Sequence, residues 1–216
     1  QLVALGVPLV VRINAADSAA FADDLAAMAG LQALAGVMLP KAESADALAQ
    51  VNAALPGAAL LPLIESAAGW DALPRIAAAP GVLRLALGHI DFMADTGIQC
   101  SDDERELAPL RFAIAMASRR RRLAPAVDGV TVAIADDAKL REDTQRALRF
   151  GFGAKLCIHP RQVTAVHEAL APSAAELDWA RRVIAADAAA AGAAVQLDGR
   201  MVDAPVVLQA RRTVAR

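Results

Sequence analysis

Six short apolar runs, each bounded by Gly, Pro or a charged residue, punctuate the sequence at residues 7–14, 34–41, 59–66, 81–88, 123–130 and 154–160. Within each run the hydrophobic residues are nearly continuous rather than alternating, the pattern of parallel strands covered on both faces. Between the runs the period becomes helical. Phe21, Leu25 and Met28 recur at i, i+4, i+7, and Leu48, Val51 and Leu55 at i, i+3, i+7. Val163, Val166 and Leu170 form another stripe, and Leu177, Ala180 and Ile184 one more. Asp17 or Ser18 is placed to cap the first helix and Ser44 the second. Strand centres fall mostly 22 to 29 residues apart; the longer interval from 85 to 127 leaves room for an extra loop before a helix at about 103–121.

Strands alternating with helices imply right-handed crossovers and a parallel sheet, which a barrel and an open doubly wound sheet share. The polar residues favour the barrel. Arg12, Lys41, Glu65, Asp91, Asp128 and His159 stand at or just beyond the C-terminal ends of six different strands, as the catalytic face of a (β/α) barrel requires. An open sheet would gather such residues at one switch point. The expected fold is therefore α/β, a (β/α)8 TIM-type barrel over residues 1–172. Six strand–helix units are visible, so the first two units precede Gln1 or the barrel is an unusual six-unit open one; the missing initial methionine favours the former. Residues 173–216 read as a helical tail or lid, in which QLDGRMVDAPVVLQARR is a turn followed by a closing helix.

Composition narrows the function classes. At 216 residues the chain suits one sizeable α/β domain, and with 56% hydrophobic but only 3% aromatic residues its core rests on alanine, leucine and valine. A net charge of -2 points to neither nucleic acid nor an anionic membrane as partner. No apolar stretch approaches the ~20 residues that span a bilayer, and the start lacks the basic segment of a signal peptide. Cys100 and Cys157 lie far apart and match no metal spacing, which fits reduced thiols in a cytoplasmic protein.

Glu65 and Asp91 end adjacent strands, and two carboxylates at neighbouring barrel mouths suit an octahedral Mg²⁺ that keeps part of its water. Arg12 offers a planar fork for a carboxylate or enolate oxygen, or an ion pair with those acids. Lys41, beside Pro40 and Glu43, reads first as a loop ion pair and second as a contact for a substrate anion. Asp128 either touches substrate or caps the next turn, whereas His89 and His159 read as structural. The run Arg119 to Arg122 suits the negative end of a helix, with a contact to coenzyme A phosphates as the sharper alternative.

The ordered segments VRIN, MLPKAES, LIESAAGW, LGHIDFMADTG, VDGV, FGAKLCIHPRQV and LDGRMVDAP resemble those of citrate lyase β-subunit-like proteins of the HpcH/HpaI aldolase superfamily, which includes malyl-CoA and citramalyl-CoA lyases. The resemblance runs from about residue 7 to 212. It implies a barrel that cleaves a 3-hydroxy-acyl thioester, on coenzyme A or an acyl carrier, into an acetyl-type thioester and an oxo acid. It also implies Mg²⁺ on Glu65 and Asp91, a substrate-binding Arg12, and an acid/base Asp203 supplied by an adjacent subunit of a homotrimer or larger assembly. The family's opening strand and its acidic DLEDAV-like run have no counterpart, and SRRRRL replaces a small-residue segment before VDGV. Rival readings are a divalent-metal pyruvate aldolase and a non-catalytic barrel that binds a carrier protein or partner subunit.

Overall fold

The structure is a computed structural model and describes residues 7–190 and 193–216; the apolar lead-in at residues 1–6 lies outside the described residues. Six strands pair in parallel in strict chain order: β1 (Leu9–Arg12), β2 (Leu34–Leu39), β3 (Ala59–Ile64), β4 (Ala86–Leu87), β5 (Val127–Asp128) and β6 (Ala154–Lys155). No strand order reverses, so the sheet is the singly wound wall of an incomplete (β/α) barrel. Helices α1 (Phe21–Ala29), α2 (Ala45–Ala54), α3 (Ala67–Ile76), α4 (His89–Thr96), α5 (Ala108–Arg120) and α6 (Asp137–Arg149) connect successive strands, and α7 (Gln162–Leu170) follows β6. The long interval after β4 holds α4 and a 3₁₀ turn (Arg105–Leu107) ahead of α5 rather than a loop alone.

The pleat sorts the strand residues into two cores. Val37, Leu39, Leu60, Ile64, Leu85 and Leu87 pack with the helices, while Met38, Leu61, Leu63, Ala86 and Val127 form a second cluster on the other face of the sheet. Arg12 pairs in register with Met38, and Glu65 continues the alternation of Leu61 and Leu63, so both belong to the interior face. Asp128, one residue after Val127, belongs to the helix-facing side.

Helix starts follow local chemistry. The Ser44 side chain accepts from the Ala47 amide and the Ser66 side chain from the Gly69 amide. The first helix departs from expectation: its N-cap is Ala20, without a side-chain cap, because Ser18 is spent on the turn before it, accepting from the Ala20 amide. Val163, expected on a buried stripe, is exposed, whereas Val166 is buried.

The chain divides into two compact units, Gln1–Val163 and Thr164–Arg216, a division nine residues before the one expected at 172/173. The second unit contains α8 (Ala174–Ala189), an antiparallel hairpin of β7 (Val195–Leu197) and β8 (Arg200–Val202), and α9 (Ala204–Ala215). The hairpin corrects the reading of that segment as a simple turn. Asp198 and Gly199 both take positive φ, 48° and 75°, as a tight two-residue turn demands. Ala180, Val183, Val202, Val207 and Ala210 are its buried core. Among the described residues no helix is long and apolar enough to cross a membrane.

Candidate active site

A cavity of about 430 Å³ opens at the C-terminal ends of β1 to β4, lined by Arg12, Lys41, Glu65 and Asp91 together with Asn14 and Ser18. Arg12, Lys41, Glu65 and Asp91 arrive at the ends of four successive strands. Arg12 is the last residue of β1, and the turn behind it is tied down by Asp24 of α1, whose carboxylate accepts from the Asn14 amide at 2.7 Å and its side-chain nitrogen at 2.8 Å. Asp91 sits in the first turn of α4, where the helix dipole favours an acid. Lys41 projects from the turn after β2 and makes no salt bridge among the described residues, so the expected loop ion pair is absent. Glu43 instead accepts from the Ser66 hydroxyl at 2.7 Å.

Glu65 is the buried member of the group, 4% exposed. Burial raises its carboxyl above the ordinary glutamate range and the neighbouring Asp91 pushes it the same way; the Lys41 amide, Arg12 and the Lys41 charge oppose them. A buried acid beside a second carboxylate calls for a cation. The donor set fits Mg²⁺: one buried and one exposed carboxylate leave most of an octahedral shell to water or substrate oxygens. Among the described residues no group of three or more His, Cys, Asp or Glu is arranged to hold a metal, so these two acids could hold only such a partly hydrated ion.

Asp128 lies elsewhere. It is fully buried and its carboxylate holds the Arg111 guanidinium at 3.0 Å, with the Lys155 ammonium 3.7 Å away. Arg111 also reaches Glu104, which takes a second guanidinium from Arg146 at 2.9 Å; Arg146 in turn meets Asp143 at 2.9 Å. Asp143 accepts from Lys139 and from the Thr131 hydroxyl, both at 2.7 Å. This framework clamps α5, α6 and the loop after β5; of its members only Asp128 was singled out from sequence, and Arg111, Glu104, Asp143 and Arg146 were not. Their signal is polar residues recurring on the buried side of otherwise amphipathic helices: Arg111 on α5, Asp143 and Arg146 on α6.

The other candidates of the first unit are not among the residues lining the cavity. His89, 3% exposed, faces Glu104 through Nε2 at 3.7 Å, while its Nδ1 packs against Gly129 without a hydrogen-bond partner among the described residues. His159 accepts from the Arg161 amide within a turn. Arg119 to Arg122 are exposed at the C-terminus of α5, the end that leads into β5 and therefore opposite the barrel mouth. Asp203, in the second unit, caps α9 by accepting from the Val206 amide at 3.3 Å.

The family model described as HpcH/HpaI aldolase/citrate lyase matches residues 1–160. A citrate lyase subunit beta-like protein of Mycobacterium tuberculosis is 40% identical over 213 residues, covering 96% of this chain and 75% of that protein. A (3S)-malyl-CoA thioesterase of Cereibacter sphaeroides is 32% identical over 210 residues, covering 96% and 73%. Among solved structures, CitE from M. tuberculosis in complex with magnesium, acetoacetate and coenzyme A superposes with a TM-score of 0.82 at 36% identity, covering 96% of this chain and 78% of that one.

Proposed function

Because the chain belongs to the HpcH/HpaI aldolase/citrate lyase family, we propose that it is a Mg²⁺-dependent carbon–carbon lyase acting on a 3-hydroxy-acyl thioester of the malyl, citramalyl or citryl type. The observation that carries this reading is the meeting of Arg12, Lys41, Glu65 and Asp91 in one cavity at the strand ends. The magnesium and coenzyme A held by the M. tuberculosis relative support it.

Glu65 and Asp91 would hold the metal, which supplies Lewis acidity toward the substrate's hydroxyl and carboxylate oxygens. The chain's own residues divide the rest of the work. A general base takes the 3-hydroxyl proton and the carbon–carbon bond breaks; the hydroxyl carbon becomes the carbonyl of an oxo acid, and the bonding pair moves to the thioester as its enolate. Arg12 is fixed at the end of β1 and opposes the negative charge that develops there. Lys41 adds a second cation at the rim for a substrate carboxylate. Asp203, contributed by a neighbouring copy of a homotrimer or larger assembly as the resemblance implies, returns a proton to the enolate carbon. Asp128, fully buried against Arg111 and Lys155, is assigned a structural role in place of the expected substrate contact.

The test is a cleavage assay of malyl-, citramalyl- and citryl-CoA with Mg²⁺, on the full chain including any residues upstream of Gln1. Acetyl-CoA and an oxo acid should appear, and EDTA should abolish them. The thioesterase relative makes hydrolysis the second reading; free coenzyme A with intact hydroxy acid would establish it instead.

A further inference from the structure

The buried glutamate is held from two sides, and neither support is a side chain with chemistry of its own. Its Oε1 accepts the Lys41 backbone N–H at 2.8 Å. Lys41 makes that bond from φ 44°, the left-handed region that residues other than glycine rarely enter. On the other side stands Gly88. Its φ of -106° is open to any residue, so conformation does not explain a glycine there. Space does: a Cβ on Gly88 would run into Glu65 Oε2 and lie 2.7 Å from the Glu65 Cβ.

We propose that the Lys41 peptide and the Gly88 gap are positioning elements of the cation site, which pin Oε1 of Glu65 and leave Oε2 free to face the metal beside Asp91. The inference rests on the metal assignment made above. One oxygen saturated by an amide and one left clear convert a carboxylate with two equivalent faces into a single-armed ligand of fixed direction. The strained backbone at Lys41 is stabilised by the bond it makes to Glu65. The lysine side chain has no part in this, and its charge opposes the binding of a cation.

Mn²⁺ binding, followed by electron paramagnetic resonance on the full chain, separates backbone from side chain. Lys41→Gly and Lys41→Val both delete the ammonium, but only glycine holds the left-handed peptide. Lys41→Gly should bind Mn²⁺ at least as tightly as wild type, and Lys41→Val at least tenfold more weakly. Gly88→Ala should weaken binding at least tenfold by displacing Oε2. Equal affinities for Lys41→Gly and Lys41→Val would overturn the proposal, as would a Gly88→Ala protein that binds like wild type. Should Lys41→Val fail to fold by circular dichroism, Gly88→Ala decides the question alone. Glu65→Gln is the control for the underlying assignment: if it binds Mn²⁺ as wild type does, the metal reading and this inference both fall. A Glu65→Gln loss alongside indistinguishable Lys41 variants sinks only the inference.

Discussion

Leu61, Leu63 and Glu65 share one face of β3, and that alternation carries an acid to the mouth of the barrel interior. At β5 the same alternation turns Asp128 outward, onto Arg111. Breaking a buried pair on one side costs about 3 kcal/mol, because the surviving charge stays desolvated. Asp128→Asn should therefore lower the melting temperature by roughly 6–12 °C at this chain length, measured by calorimetry, while Mn²⁺ affinity stays unchanged. Asp143 gives a pH-dependent counterpart. Burial alone would raise its carboxyl, but the bonds from Lys139 and Thr131 and the charge of Arg146 outweigh it and hold the pKa below the ordinary 3.8. A depressed folded value means the stabilisation is complete above the unfolded pKa and is lost as pH falls through the folded one. Urea midpoints of wild type and Asp143→Asn should differ by a constant amount above about pH 5, and the difference should shrink as the pH falls below the ordinary aspartate value. Position in the sequence was enough to collect Arg12, Glu65 and Asp91; separating Asp128 from them needed the pleat, which could have been counted from Val127. The amide and the glycine around Glu65 were not legible, since both are contacts made 24 and 23 residues away.

Elements bounded by a capping serine were the most readable. Ser44 does cap α2, and Ser44→Ala should cost about 1 kcal/mol in a urea titration. Ser18 looked as good in sequence, yet its hydroxyl serves the preceding turn, a choice between near-isoenergetic local bonds that propensity does not resolve. Helix α4, of eight residues, fell below the length at which an apolar period stands out. The hairpin was missed for a different reason: three-residue strands give too short an alternation, although the Asp198–Gly199 pair marked the turn. Gly199 holds φ 75°, so Gly199→Ala should destabilise the hairpin by about 1 kcal/mol, read from the amide exchange rates of β7 and β8.

For the molecule, strand order settled what strand count left open. A sheet that runs β1 to β6 without reversal is a barrel wall, and residues at six strand ends on one rim anticipated it. The compact units divide at 163/164 and the expected tail began at 173, since helix period is blind to which core a helix joins. The two cores differ in size. The first unit buries Leu39, Leu48, Leu60, Ile64, Ile76 and Leu87 among many others, whereas the buried hydrophobic residues described in the second are alanines and valines. Native-state hydrogen exchange should accordingly find the slowest amides in β2 and β3, and amides of α8 and α9 opening at markedly lower free energy. Uniform protection across both units would contradict this.

Trp70 leans on Phe92 at 6.4 Å in the first unit, and Trp179 lies beneath the guanidinium groups of Arg182 and Arg200 in the second. With two tryptophans and no tyrosine in the chain, each unit carries one native fluorophore of its own. Trp70→Phe and Trp179→Phe thus yield a matched pair of optical reporters, in which the emission of each remaining indole follows the melting of one unit and is silent about the other.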